Sequence, residues 1–145
     1  MKNNPLINNN VFLVLRSRSG AGKSTFADFL EFMIDSCEIE ICTADDYFVG
    51  VDGSYNFDAS KLDKAHKYCR EKAFEAIRHG VRIVVLANTN CGEKEYQPYE
   101  EFARQNGYEV VSLVLENLTG TKDIHGLPPE TLERQKRKLI NSLKL

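Results

Sequence analysis

The sequence predicts an α/β fold: a parallel sheet with helices on both faces. Three observations carry this. Four short runs read as strands, VFLVL (11–15), EIEIC (38–42), RIVVLA (82–87) and YEVVSLVLE (108–116). The first, and the third from Ile83 onward, are continuously apolar, as strands buried on both faces require. Segments with helical spacing alternate with these runs throughout, an order that a parallel sheet with crossover helices satisfies.

The elements follow in order. Residues 1–10 are polar and Asn-rich and read as a loose tail without a signal-peptide apolar region. The remaining chain, 11–145, is expected to be one domain with one core, as 145 residues and 42% hydrophobic content suit. A helix is expected from near Lys23, with Phe26, Ala27, Leu30, Met33 and Ile34 as its apolar stripe. Residues 49–58 carry Asp-Gly and Ser-Tyr-Asn turn chemistry. A long helix is expected from Ser60, with Leu62, Ala65, Cys69, Ala73, Ala76 and Ile77 inward and Gly80 at its stop. Glu93 to Gln105 reads as a third helix, in which Pro98 marks a kink or the true start. Pro128 and Pro129 open a last helix with Leu132, Leu139, Ile140 and Leu143 inward.

Bulk properties exclude several classes. No apolar run approaches the roughly 20 residues of a membrane span. The net charge is −2, so any nucleic-acid binding must come from a local basic patch. Cys37, Cys42, Cys69 and Cys91 form no C-x-x-C pair and have no histidine at zinc spacing. They are expected to be thiols of a cytoplasmic, intracellular chain.

In a parallel sheet, ligands bind beyond the carboxyl ends of the strands. The candidate functional segments are therefore 16–25, 43–48, 88–91 and 117–126. The first holds Ser19, Gly20, Ala21, Gly22, Lys23, Ser24 and Thr25 between a strand and a helix. This is the context of the phosphate-binding pattern G-x-x-x-x-G-K-[ST]. Backbone N–H groups of such a loop wrap an anionic phosphate, helped by the helix N-terminus. Lys23 would reach the β and γ phosphates of ATP, and Ser24 would ligate Mg²⁺. Ser17 occupies the place of the first glycine. If the backbone there needs a positive φ, serine costs roughly 1–2 kcal/mol, without removing a phosphate ligand. The second segment pairs Asp45 with Asp46. A carboxylate there can take the proton of an attacking hydroxyl or hold a metal's water. The alternative is that one of them caps a short helix.

Several stretches then follow in one order: TADDYF, DGSYNFDASKLDKAH, ANTNCGEKEYQPY and HGLPPETLERQ. Together with the phosphate loop they resemble the P-loop kinase domain shared by NEDD4-binding-protein-2-like proteins, phage polynucleotide kinase and viral relatives, from Val11 to about Lys138. The DG-x-Y-x-F and L-x-x-A-H segments are most similar to the first branch. The resemblance implies a P-loop NTPase-type three-layer sandwich, a mostly four-stranded parallel sheet and a short lid. It implies transfer of the ATP γ-phosphate to the 5′-hydroxyl of RNA or DNA, with Asp45 as general base. Thr89 and Asn90 match a turn that lines the site, and Asp46 would stand on the acceptor side. Lys122 falls where relatives carry lid arginines, and His125 lies in the match to the lid's end.

This chain departs from the pattern at Ser17, and at Ala87, where many relatives have Asp. An acceptor-anchoring arginine falls at Phe48, and the aromatic residue that often follows the turn is replaced near Lys94. An arginine finger is worth ~10³–10⁵ in rate, and lysine lacks its planar fork. Arg16, Arg18 or Arg134 are candidates to substitute in space. His66 is a candidate near the site or a packed helix histidine, and His79 faces a helix C-terminal dipole. Arg134, Lys136, Arg137 and Lys138 form a solvated face or part of a phosphate-tracking groove. Tyr47, Phe48, Tyr55 and Phe57 are candidates to stack on bases or to pack beneath the loop. Two other functions stay open: a kinase of a small nucleoside or metabolite acceptor, and a nucleotide-binding module without catalysis.

Overall fold

The computed structural model describes residues 9–116 and 126–143. Most of the tail, the segment 117–125 expected as a lid, with Lys122 and His125, and residues 144–145 lie outside the described residues. Four strands form one sheet: β1 (Val11–Arg16), β2 (Ile39–Cys42), β3 (Ile83–Leu86) and β4 (Glu109–Val114). Their order is β2-β3-β1-β4, and every pairing is parallel. The helices are α1 (Lys23–Met33), α2 (Leu62–Arg78), α3 (Glu93–Gln105) and α4 (Pro129–Ser142).

Side-chain alternation splits the core into two layers. Phe12, Val14, Val84, Leu86 and Cys42 face α2 and α3. On α2 the contact residues are small, Ala65, Cys69, Ala73 and Ala76, each at most 7% exposed, so the helix lies close on the sheet. Tyr96, Tyr99 and Ala103 of α3 complete that layer. Leu15, Ile39 and Val85 face the other way, against Phe26, Leu30 and Ile34 of α1. The sheet is thus sandwiched as the alternating sequence implied.

Some details differ from the sequence pattern. Met33 is 62% exposed, because the partly buried stripe of α1 and its cap runs 26, 30, 34 and Met33 falls beside exposed Phe29 and Phe32. Leu62, Ile140 and Leu143 also face outward. A 3-10 turn, Ala59–Lys61, precedes α2. Pro98 neither ends nor starts α3, which runs through it. No described helix is long and apolar enough to cross a membrane.

The topology fixes where the candidate segments meet. From β1 the chain crosses over β3 to reach β2, and from β3 it crosses over β1 to reach β4. The connections leave β1 and β3 in opposite directions, which opens a crevice at their carboxyl ends. Here the loop after β1 lies beside the turn after β3, with the turn after β2 one strand further, about 10 Å from the first by strand spacing.

Candidate active site

The loop after β1 needs glycine at two positions. Gly20 has φ 76° and Gly22 φ 99°, both left-handed. A Cβ at Gly22 would meet nothing within 4 Å, so the loop is open at that point. Gly22 begins α1 without a side-chain cap, and the first turn of α1 has no acidic residue. The helix start therefore suits an anionic ligand. Ser24 and Thr25 are exposed there, and Ala21 is half-buried.

Ser17 does not carry the strain considered above, because Asn90 is the one non-glycine with positive φ among the described residues. Instead its side chain is used. Lys23 Nζ donates to Ser17 Oγ at 2.8 Å, and Ser17 Oγ donates to the Arg18 carbonyl at 2.8 Å. Ser17 N donates to Thr89 O at 3.0 Å, and the Cys91 thiol donates to Ser17 O at 3.3 Å. On the other side Ser19 N donates to Gln135 Oε1 of α4 at 2.8 Å.

Arg16 has a different place from the one considered for it. It is 4% exposed. Its guanidinium donates to Asn90 O (3.0 Å), Cys91 O (3.3 Å) and the Ser142 hydroxyl, and lies 4.8 Å from the Tyr96 ring centroid. These contacts tie β1, the turn after β3, α3 and α4 together, so Arg16 is not available to replace a lid arginine. Arg18 is half-buried, and Arg134 is exposed with Lys136, Arg137 and Lys138 on α4. Lys138 is paired with Glu95 of α3. His66 is exposed on α2, and His79 Nδ1 lies 2.9 Å from Glu75 O at the end of that helix.

The turn after β3 braces both neighbours. Asn90 is 1% exposed, with φ 50°. Asparagine tolerates this conformation better than most residues. Its Nδ2 donates to Leu15 O at 2.8 Å and Asn88 O at 3.0 Å. The structure thus puts Asn90 beneath the loops and half-buried Thr89 beside Ser17. Asn88, not singled out in the sequence, reaches the other way. Its Oδ1 accepts from Ala44 N at 2.9 Å and Thr43 Oγ1 at 3.5 Å.

That grip holds the 3-10 turn Ala44–Phe48 and its two acids. Thr43, not an aspartate, caps the turn, with Thr43 Oγ1 accepting from Asp45 N at 3.3 Å. Asp45 is exposed, and Tyr55 Oη donates to its Oδ1 at 3.2 Å. Burial, then the Asp45 charge and this bond, raise the Tyr55 phenol above its usual pKa, which keeps it a donor. Asp46 turns inward to Lys72 of α2, at 3.3 Å. Burial opposes the Lys72 charge, but bonding to Glu40 (3.0 Å) and the Asp46 charge outweigh it and hold the ammonium's pKa above the ordinary lysine value. The two acids are thus unlike: one is open to a ligand and one is spent in an ion pair.

Among the described residues no group of three or more His, Cys, Asp or Glu could hold a metal. A divalent ion carried on nucleotide phosphates needs few protein ligands. Ser24, exposed at the uncapped start of α1, fits that lesser demand.

The geometry can be set beside known proteins. No family model matches the sequence. Over 101 residues, 70% of this chain, it is 33% identical to human NEDD4-binding protein 2, of whose length it spans 6%. A chain in the structure of the Pnkp1/Rnl/Hen1 RNA repair complex superposes with a TM-score of 0.75 at 18% identity, covering 99% of this chain and 48% of that one. The APS kinase CysC of Mycobacterium tuberculosis, as its Cys556Ala mutant, superposes with a TM-score of 0.53 at 14% identity, covering 94% and 99%. This chain is a homologue of a segment of NEDD4-binding protein 2 and has a P-loop kinase-like fold.

Proposed function

We propose that this chain transfers the γ-phosphoryl group of ATP to a 5′-hydroxyl end of RNA or DNA. The observation that carries the reading is the contrast across the carboxyl edge. An open glycine loop with Lys23 and Ser24 stands on one side, and an exposed, doubly braced Asp45 on the other. The likeness to a chain of an RNA repair complex supports a nucleic-acid acceptor.

In this mechanism, loop N–H groups and Lys23 hold the phosphates. Asp45 accepts the proton of the acceptor hydroxyl as its oxygen bonds to the γ-phosphorus. The bond from that phosphorus to the β,γ-bridging oxygen breaks, and ADP leaves. Ser24 would hold Mg²⁺, which supplies charge neutralisation on the phosphates when bound. Asp46 orients the turn through Lys72, and Asn90 with Thr89 positions the loop. Lys122 and His125 are proposed on the lid, outside the described residues.

The test is γ-phosphate transfer from labelled ATP to 5′-hydroxyl RNA and DNA oligonucleotides, with Asp45→Asn as control. Label on the 5′ end that is lost in the variant supports the reading. Label retained by Asp45→Asn overturns the base assignment. ATP binding without label on either polymer overturns the acceptor. A second reading, phosphorylation of a small nucleoside or metabolite, is favoured by the charge of residues 45–61, where Asp45, Asp46, Asp52 and Asp58 stand against the single cation Lys61.

A further inference from the structure

A cleft of about 280 Å³ opens on the acceptor side, lined by Tyr47, Phe48, Val49, Gly50, Asn56 and Lys61. It adjoins Asp45 by construction. Tyr47 and Phe48 follow Asp45 on the same 3-10 turn, and Tyr55, bonded to Asp45, has its ring 6.2 Å from that of Phe48. A small hairpin builds one wall. Val49 bridges Tyr55, Gly50 N donates to Ser54 O at 2.8 Å, and Asn56 N donates to Phe48 O at 2.9 Å.

The aromatic residues divide into floor and rim. Phe48 is 6% exposed, with the rings of Tyr47 and Phe57 at 5.5 and 5.2 Å. It cannot anchor a phosphate, and it supports the others. Tyr47, at the rim of the cleft, is 37% exposed, and the neighbouring Tyr55 and Phe57, beside the cleft, are 46% and 55% exposed. The charge is unfavourable for a nucleic-acid backbone. The one charged residue lining the cleft is Lys61, and it is already paired with Asp58 at 3.4 Å. A cation already paired with a carboxylate offers little to a phosphate, while an aromatic face holds any base by stacking.

We infer that this cleft seats the terminal nucleobase of the acceptor, so that the acceptor end is held by base stacking on Tyr47 rather than by a phosphate contact. The inference rests on the end-kinase reading and adds to it the part of the substrate that is recognised. A stacked terminal nucleoside here presents its sugar toward the turn that carries Asp45.

The experiment uses an oligonucleotide whose 5′-terminal nucleoside is 2-aminopurine, with a 5′-hydroxyl. Its fluorescence is titrated with the full chain in the absence of ATP, and label transfer is followed in parallel. The expected result is quenching that Tyr47→Ala removes and Tyr47→Phe retains, with acceptor KM about tenfold higher in the alanine variant. A 5′ abasic end should show the same KM increase with the unaltered chain. Lys61→Ala should raise KM less than Tyr47→Ala does, and salt between 50 and 200 mM should change it little, unlike a phosphate-driven site. Quenching without label transfer upholds the cleft and defeats the kinase reading. Transfer without quenching, or a larger loss from Lys61→Ala than from Tyr47→Ala, defeats the inference and leaves the kinase reading standing.

Discussion

The Lys23 ammonium donates to the Ser17 hydroxyl at 2.8 Å. The residue in the first glycine's place thus holds the loop's own lysine. The bond fixes where the ammonium sits at the mouth of the glycine loop. It also orders a side chain whose freedom would otherwise be lost on binding. Ser17→Ala deletes the hydroxyl and leaves the backbone as it is. ATP affinity should fall about 2- to 10-fold, the worth of one modest hydrogen bond. Calorimetric titration checks this, and a tighter complex would show that the bond competes with the nucleotide instead.

Tyr55 bonds to Asp45 from an exposed hairpin. Tyr55→Phe keeps the ring and removes the donor, so kcat for transfer should fall about 3- to 10-fold. The Tyr55 pKa is raised, by burial first and then by Asp45. The phenol therefore keeps its proton below its raised value and loses it only above about pH 10. The pH–rate profile of the unaltered chain should show no alkaline decline from this group below that point, and the Tyr55→Phe defect should be constant up to it.

Arg16 is a buried cation with three hydrogen-bond partners and an aromatic face. Arg16→Met fills much of the space and leaves the carbonyls of Asn90 and Cys91 without their donor. The loss should be about 1.5–3 kcal/mol. For a domain of this size that lowers Tm by roughly 3–10 °C, measurable by thermal melts.

The four cysteines should separate by reactivity. Cys37 is exposed, and Cys42, Cys69 and Cys91 are buried. Burial pushes the Cys42, Cys69 and Cys91 thiols above their usual pKa. Hydrogen bonding to Asp35 raises Cys37 too, so its alkylation should quicken as pH rises through 9. Mass spectrometry of the folded chain treated with iodoacetamide at pH 8 should find modification at Cys37, and at all four positions after denaturation.

The fold was legible where one physical signal dominates. Residues 11–15 of β1 and all of β3 are unbroken apolar runs that lie between two helical layers, and the runs themselves located the strands. The stripe of α2 was readable for the same reason, from Ala65 to Ile77. At α4 the pattern misled, since Ile140 and Leu143 are outward while Leu139 is buried. That helix is held partly by polar bonds through Gln135, Ser142 and Lys138, which have no period. In the candidate site, the glycine loop and the acid pair stand out as spaced residue types. The difference between Asp45 and Asp46 was not, because it depends on Lys72, 26 positions away in sequence from Asp46. The support from Asn88 and the grip of Ser17 on Lys23 likewise arise from side-chain directions that only the folded chain fixes.

The bonds from Ser19 to Gln135 and from Arg16 to Ser142 also set the limits of what can be transplanted. A graft carrying only β1, the glycine loop and α1 would copy the motif and lose the partners of Ser19 and Arg16. The smallest portable unit of this glycine loop is discontinuous: it includes the turn after β3 and the last helix. A chimera built without them inherits the spelling of the loop but not its shape.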